Sequence, residues 1–147
     1  MKQSTLIENI LSKDNLNNAY LQVVRNKGAA GVDGMEYKAL LSHLRKNGEQ
    51  IKESIRNQTY KPMPVKRVEI PKEDGSKRKL GIPTVTDRTI QQAVAQVLTP
   101  IYEEKFHDNS YGFRPQKSAQ QAVLKAVEYM NEECNWMVSW KSKFQFQ

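Results

Sequence analysis

The sequence predicts a mixed α+β fold, mainly helical, with one short antiparallel β-hairpin. Three observations predict it. Helix-start signals followed by apolar stripes occur on both sides of the chain's midpoint. Pro62 and Pro64 exclude a helix across the stretch between them and their neighbours. From Val65 to Pro83 the residues then read as strand, turn, strand.

The elements follow in order. Thr5-x-x-Glu8 has the form of a capping box opening a short first helix. Asp14 is placed to cap a second, with Leu16, Ala19, Tyr20, Val23 and Val24 at helical spacing. Gly28-Ala-Ala-Gly31-Val-Asp-Gly34 breaks the chain into a loop. A helix is expected from about Tyr37 to Arg45, with Leu40, Leu41 and Leu44 inward, and another from about Glu49 to Asn57. After the hairpin, Asp87 to Phe106 is the clearest helix. Its stripe is Ile90, Ala93, Val94, Val97, Leu98, Ile101 and Tyr102, and Pro100 predicts a kink or break near Thr99. Ser118-x-x-Gln121 is a second capping box, continued by Ala119, Ala122, Val123, Ala126, Val127 and Met130. Trp136-Met137-Val138 reads as the start of a buried strand.

Composition bounds the function. The chain has 147 residues, 38% of them apolar, and a mean hydropathy of -0.73. That suits a small domain, or part of a larger one, with much polar surface. No apolar run is long enough to span a membrane, and the N-terminus lacks a secretory pattern. The single Cys134 excludes an internal disulfide framework and fits the cytoplasm, the expected localisation. His43 and His107 lie far apart without a cysteine cluster, which argues against structural zinc. Net charge is +7, and residues 61–88 carry eight Lys/Arg against four acids. Such a local excess points to phosphates, with a solvated basic surface as the alternative.

Hairpin register sorts those charges. A two-residue Asp74-Gly75 loop would put Val68 and Leu80 on opposite faces. A three-residue Glu73-Asp74-Gly75 loop pairs Val68 with Leu80 and Lys66 with Ile82, which gathers the apolar residues on one face. Gly75 then falls where such a loop needs a left-handed residue. In this register Glu69 opposes Lys79 on the outer face, an expected cross-strand ion pair. Lys72 and Arg78 share the face of Val68 and Leu80 as diagonal neighbours, roughly 7–8 Å apart at the backbone. Neither has a carboxylate opposite it. Two such cations can bracket a polyphosphate, the lysine as a point charge and the arginine as a fork of donors. The alternative is a pair of solvated tips.

Four segments carry a family resemblance: GVDG (31–34), IPKEDGSKRKLGIPTVTDRTIQQAV (70–94), LTPIYEEKF (98–106) and SYGFRPQKSAQQAV (110–123). Together they resemble the N-terminal region of bacterial group II intron reverse transcriptases with maturase activity. The resemblance implies a helical N-terminal extension over 1–60 and reverse-transcriptase fingers over 61–138. It implies that Lys72 and Arg78 contact the triphosphate of the incoming dNTP. It implies that the loop with Gly31, Asp33 and Gly34 touches template RNA, and that Gly112, Phe113, Arg114 and Pro115 belong to a loop over the templating strand. Arg88 and Gln92 resemble motif positions, with a plain helix-surface role equally open. For Phe113 a place in the core is the other reading; for Gly31–Gly34, a plain interhelix turn.

The tail departs from the family. Residues 139–147 do not match, and Ser139 and Lys141 stand where the resemblance puts metal-ligating acids. A one-base shift of the codons around Trp140 and Lys141 would read Leu-Glu-Lys, the family's own continuation. The divergent tail is thus open to reading as a frameshift, a cloning tail or true divergence. The resemblance implies an RNA-directed DNA polymerase whose Mg2+ is held by acids this chain lacks, so no cofactor is expected in the chain and it is expected to be inactive alone. Partners implied are intron or template RNA, dNTP and primer DNA. The alternatives are a non-catalytic RNA-binding module, a non-functional remnant of a mobile element, or a surface for oligomer formation.

Overall fold

The computed structural model describes residues 3–73, 75–132, 136 and 138. Among them the fold is α+β and mainly helical, as expected. Helices α1 (Gln3–Leu11), α2 (Lys13–Asn26) and α3 (Leu40–Arg56) precede a hairpin of β1 (Lys66–Pro71) and β2 (Lys77–Ile82). Helices α4 (Val85–Glu103) and α5 (Ala119–Asn131) follow it. The chain divides into two compact units, residues 1–101 and 102–147. No described helix is long and apolar enough to cross a membrane.

In the first unit, α1 starts before Thr5, so Thr5 lies inside the helix and the expected capping box does not form. Glu8 turns its carboxylate to Arg56 instead, with Oε1 accepting from Nε at 2.9 Å and Oε2 from Nη2 at 3.0 Å. This fork holds the Glu8 carboxyl below its usual range. The second helix is capped by Ser12, not Asp14: the Ser12 hydroxyl accepts from the Asn15 amide. Asp14 sits one residue inside, where its charge favours the helix N-terminus. The two short helices expected between Tyr37 and Asn57 are one. A 3-10 turn at Tyr37–Ala39 leads straight into α3, which runs through Asn47-Gly48 without a break. Asn47 bonds back to the His43 carbonyl, and no neighbour crowds Gly48.

The core of this unit joins Val23, Leu40 and Val85, with Tyr20, Val24, Met35, Tyr37 and Leu44 packed around them. Leu11, Ala19 and Ala93 are also buried. Leu41, expected inward, is 40% exposed and lines a groove of about 380 Å³ with Leu11, Leu16, Tyr20, Leu44 and Ile55. Asn15 ties the α1–α2 junction to α4. Its Nδ2 donates to the carbonyls of Ile10 at 2.9 Å and Ala93 at 3.0 Å, and its Oδ1 accepts from Gln96 at 2.8 Å. Along α4, Pro100 causes no break: the helix continues to Glu103, although the ring removes the hydrogen bond that an amide there would donate.

Polar residues fix where α4 begins. Thr84 caps it, its hydroxyl accepting from the Asp87 amide at 3.1 Å and donating to Asp87 Oδ2 at 2.7 Å. The Asp87 carboxylate is buried. It also accepts from the Tyr60 hydroxyl at 2.5 Å and the Met63 amide at 3.2 Å. Tyr60 can reach it because the end of α3 folds back: Ser54 O accepts from both the Thr59 and Tyr60 amides, and Gln58 takes a left-handed turn. One carboxylate thus joins the end of α3, the entry to β1 and the start of α4.

In the second unit the Ser118 capping box of α5 forms in full. The expected helix forms, but Val123, Val127 and Met130 of its apolar face are exposed. Trp136 and Val138, expected to open a buried strand, are 96% and 91% exposed and lie in no strand. A strand buries its residues only against a partner surface, and among the described residues the sheet is the β1–β2 pair. Met137 and the tail 139–147 lie outside the described residues.

Asp87→Asn should cost about 2–3 kcal/mol in urea or thermal unfolding, because the amide nitrogen would face donors. Tyr60→Phe should cost about 1 kcal/mol. Burial, and then the bond to Asp87, raises the Tyr60 hydroxyl above its usual value near 10. The protonated, bonded form therefore stabilises the fold fully below about pH 10. That contribution should fade at higher pH, so wild type and Tyr60→Phe should converge in an alkaline unfolding series.

Candidate nucleic-acid interface

The hairpin has the register expected from its alternation. Lys66 pairs Ile82, Val68 pairs Leu80, Ile70 pairs Arg78 and Pro71 pairs Lys77. The Lys72 amide donates to Ser76 O at 2.8 Å, which carries the ladder one step beyond β1. The Gly75 amide donates to Lys72 O at 3.1 Å, and Gly75 takes φ +76°. The turn thus closes over three residues and uses the glycine's left-handed freedom. Asp74 lies outside the described residues.

Alternation from this register puts Lys72 and Arg78 on one side of the ribbon. Both are exposed, and neither has an ion-pair partner among the described residues. The expected Glu69–Lys79 pair is corrected: Glu69 Oε2 meets Lys77 Nζ at 2.9 Å instead. Lys79 stands opposite in register, but strand twist brings the diagonal Lys77 within reach. The apolar side is only thinly covered. Val68 and Leu80 are half-buried, and Ile70 is exposed.

The glycine loop 28–34 is more than a spacer. Gly31 is buried, and a Cβ there would lie 2.6 Å from Thr84 Cα. No larger residue fits without moving the cap of α4. Asp33 Oδ1 accepts from the Met35 amide at 3.2 Å, a side-chain turn that brings the chain to Gly34 at φ +69°. Val32, Asp33 and Gly34 are exposed. Arg88 faces this loop, donating from Nη2 to Ala29 O at 2.5 Å. Gln92, one turn along α4, bonds to Gln96.

In the second unit, the 110–115 loop is organised around Arg114. Its Nη2 and Nε meet Glu103 Oε1 at 2.7 and 2.9 Å, and its Nη1 donates to the carbonyls of His107 and Ser110. Its guanidinium also lies over the Phe106 ring at 5.3 Å, and its side chain is 9% exposed. The arginine expected to meet RNA is therefore engaged inside its own loop. Phe113 shows the reverse. It is fully exposed and takes φ +57°, an unusual backbone state for an aromatic residue, so its place is not in the core. Pro115 is exposed, and Gly112 has open space around its Cα.

The family model for reverse transcriptase (RNA-dependent DNA polymerase) matches residues 70–142. The chain is 40% identical over 121 residues to the group II intron-encoded protein LtrA of Lactococcus lactis, covering 82% of this chain and 20% of that protein. It is 38% identical over 111 residues to protein YkfC of Escherichia coli, covering 74% of this chain and 29% of the relative. It is 34% identical over 98 residues to a COX1/OXI3 intron 2 protein of Saccharomyces cerevisiae, covering 67% and 11%. The chain belongs to the group II intron reverse transcriptase/maturase family. It spans less than a third of the length of these curated relatives.

Sequence reasoning missed one part of the family region: the network of Tyr60, Thr84 and Asp87 that anchors both the hairpin exit and the glycine loop. Its signal was present. Thr84-x-x-Asp87 is the same cap-and-third-residue pattern recognised at Ser118.

Arg114→Ala should expose residues 104–118 to protease and raise their amide exchange at least tenfold. Arg114→Lys should recover little of that protection, since a single ammonium lacks the planar fork that serves three acceptors at once.

Proposed function

We propose that this chain supplies the fingers and N-terminal extension of an RNA-directed DNA polymerase, binding template RNA and the triphosphate of an incoming dNTP. The observation that carries the reading is the pairing of Lys72 and Arg78 on one side of the hairpin without an acid partner among the described residues. In such a reaction a primer 3′ hydroxyl attacks the α-phosphorus and pyrophosphate leaves. The charge on the leaving phosphates is what the two cations would neutralise. Arg78 suits two oxygens at once through its fork; Lys72 suits a third as a point charge. Exposed Val32, Asp33 and Gly34, together with Phe113 and Pro115, are the surfaces proposed to meet RNA.

Magnesium enters this reading only through the family. Among the described residues no three Asp, Glu, His or Cys side chains converge, and positions 139 and 141 are serine and lysine. These residues do not fit a catalytic metal pair, so no step is assigned to one here, and the chain is proposed to be incomplete as a polymerase. A non-catalytic RNA-binding role would use the same glycine loop and Phe113 without the triphosphate.

Equilibrium titration of the chain with a dNTP, its diphosphate and its monophosphate should show affinity falling with each phosphate lost. Lys72→Ala and Arg78→Ala should each weaken triphosphate binding about tenfold and leave monophosphate binding nearly unchanged. Equal loss for all three nucleotides would contradict the reading. Primer extension by the chain should yield no DNA.

Phe113→Ala should weaken single-stranded RNA binding by about 1–3 kcal/mol, with Phe113→Trp retaining affinity, as stacking on a base requires. Fluorescence anisotropy with unstructured RNA measures this.

A further inference from the structure

Arg88 lies in the first turns of α4, yet its guanidinium serves the glycine loop. Nη2 donates to the Ala29 carbonyl at 2.5 Å. A Cβ on Gly28 would lie 2.2 Å from Nη1, so the arginine fills the space a side chain at 28 would need. Its Nε is buried with no hydrogen-bond partner among the described residues. A buried, unpaired donor costs stability, so the arginine is not explained by what it does for its own helix. What it does is hold Gly28 and Ala29, while Gly31 is held three residues on by its steric fit to Thr84. The loop is pinned at two points, and the exposed Val32, Asp33 and Gly34 follow directly.

We infer that Arg88 is a positioning residue: it fixes the 28–31 segment so that residues 32–34 are presented to RNA, and does not itself touch RNA. This rests on the reading of the 28–34 loop as an RNA contact. Two features separate positioning from contact. A cation that meets a phosphate displaces counterions, so its loss flattens the salt dependence of binding by about 0.7 on a single strand. A positioning cation shifts affinity equally at every salt concentration. Gly28 then offers a second handle that changes no charge. Its φ is unexceptional, so alanine is tolerated by the backbone, and the added methyl meets only the movable end of Arg88.

The test uses the 147-residue chain and a fluorescein-labelled single-stranded RNA, with anisotropy followed across a salt series and amide exchange followed at residues 28–34. Arg88→Ala and Gly28→Ala should each raise exchange in the loop and weaken RNA binding about fivefold to tenfold, with the salt slope unchanged. The double variant should be no weaker than either single, since both break one contact. Arg88→Lys should not rescue binding, because lysine keeps the charge but not the planar fork. A slope flattened by about 0.7 in Arg88→Ala, with Gly28→Ala neutral or lysine rescuing, would overturn the inference in favour of a direct phosphate contact. Unchanged exchange in both variants would also overturn it. Raised exchange with RNA affinity intact would support Arg88 as the residue that orders the loop and overturn the RNA reading of the loop on which its role depends.

Discussion

The buried carboxylate of Asp87 is the interaction on which the first unit depends. A charge taken out of water is tolerated only when its oxygens are met by donors. Here the donors come from three separate places: the Tyr60 hydroxyl beyond α3, the Met63 amide before β1 and the Thr84 hydroxyl at the start of α4. Satisfying one side chain therefore fixes three segments at once. The need is acute because this stretch is poorly buried, with Met63 and Val65 before the hairpin and Ile70 within it all exposed. Apolar area alone would hold it weakly.

The same knot reaches the glycine loop. Thr84, bonded to Asp87, is the residue against which Gly31 packs, and Arg88, the next residue along, holds Ala29. The two surfaces of this unit proposed to bind ligand, the cationic ribbon and the exposed 32–34 tip, thus share one anchor at the N-terminus of α4. In the second unit Arg114 plays the corresponding part. A single charged side chain, satisfied by Glu103 and two carbonyls, shapes a loop that leaves Phe113 outside.

What was legible in the sequence was local. The hairpin register followed from alternation plus a glycine at the one place needing positive φ, and the Ser118 box from a four-residue pattern. What was illegible depended on partners distant in the chain. Glu8 looked like a capping acid until Arg56, 48 residues away, claimed it. Arg114 looked like a free cation because its acceptors include two backbone carbonyls, which no composition reveals. Of the two readings open for Phe113, the core one fails, although aromatic residues are usually buried. Two helices were expected between Tyr37 and Asn57, yet α3 is continuous, with the Asn47 side chain bonding back one turn to His43. The proposed assignment of Lys72 and Arg78 to a triphosphate rests on register and resemblance together, and that of the loops to RNA on resemblance.

Register and anchoring are proposed to make Lys72 and Arg78 act as one unit on a polyphosphate. The most direct measurement is 15N NMR of the lysine Nζ and arginine Nε groups during titration with a non-hydrolysable dNTP. Lys72 and Arg78 should shift together, with one saturable midpoint, while Lys66, Arg67 and Lys79 barely move. Weak, unsaturated shifts spread evenly over every hairpin cation would contradict it.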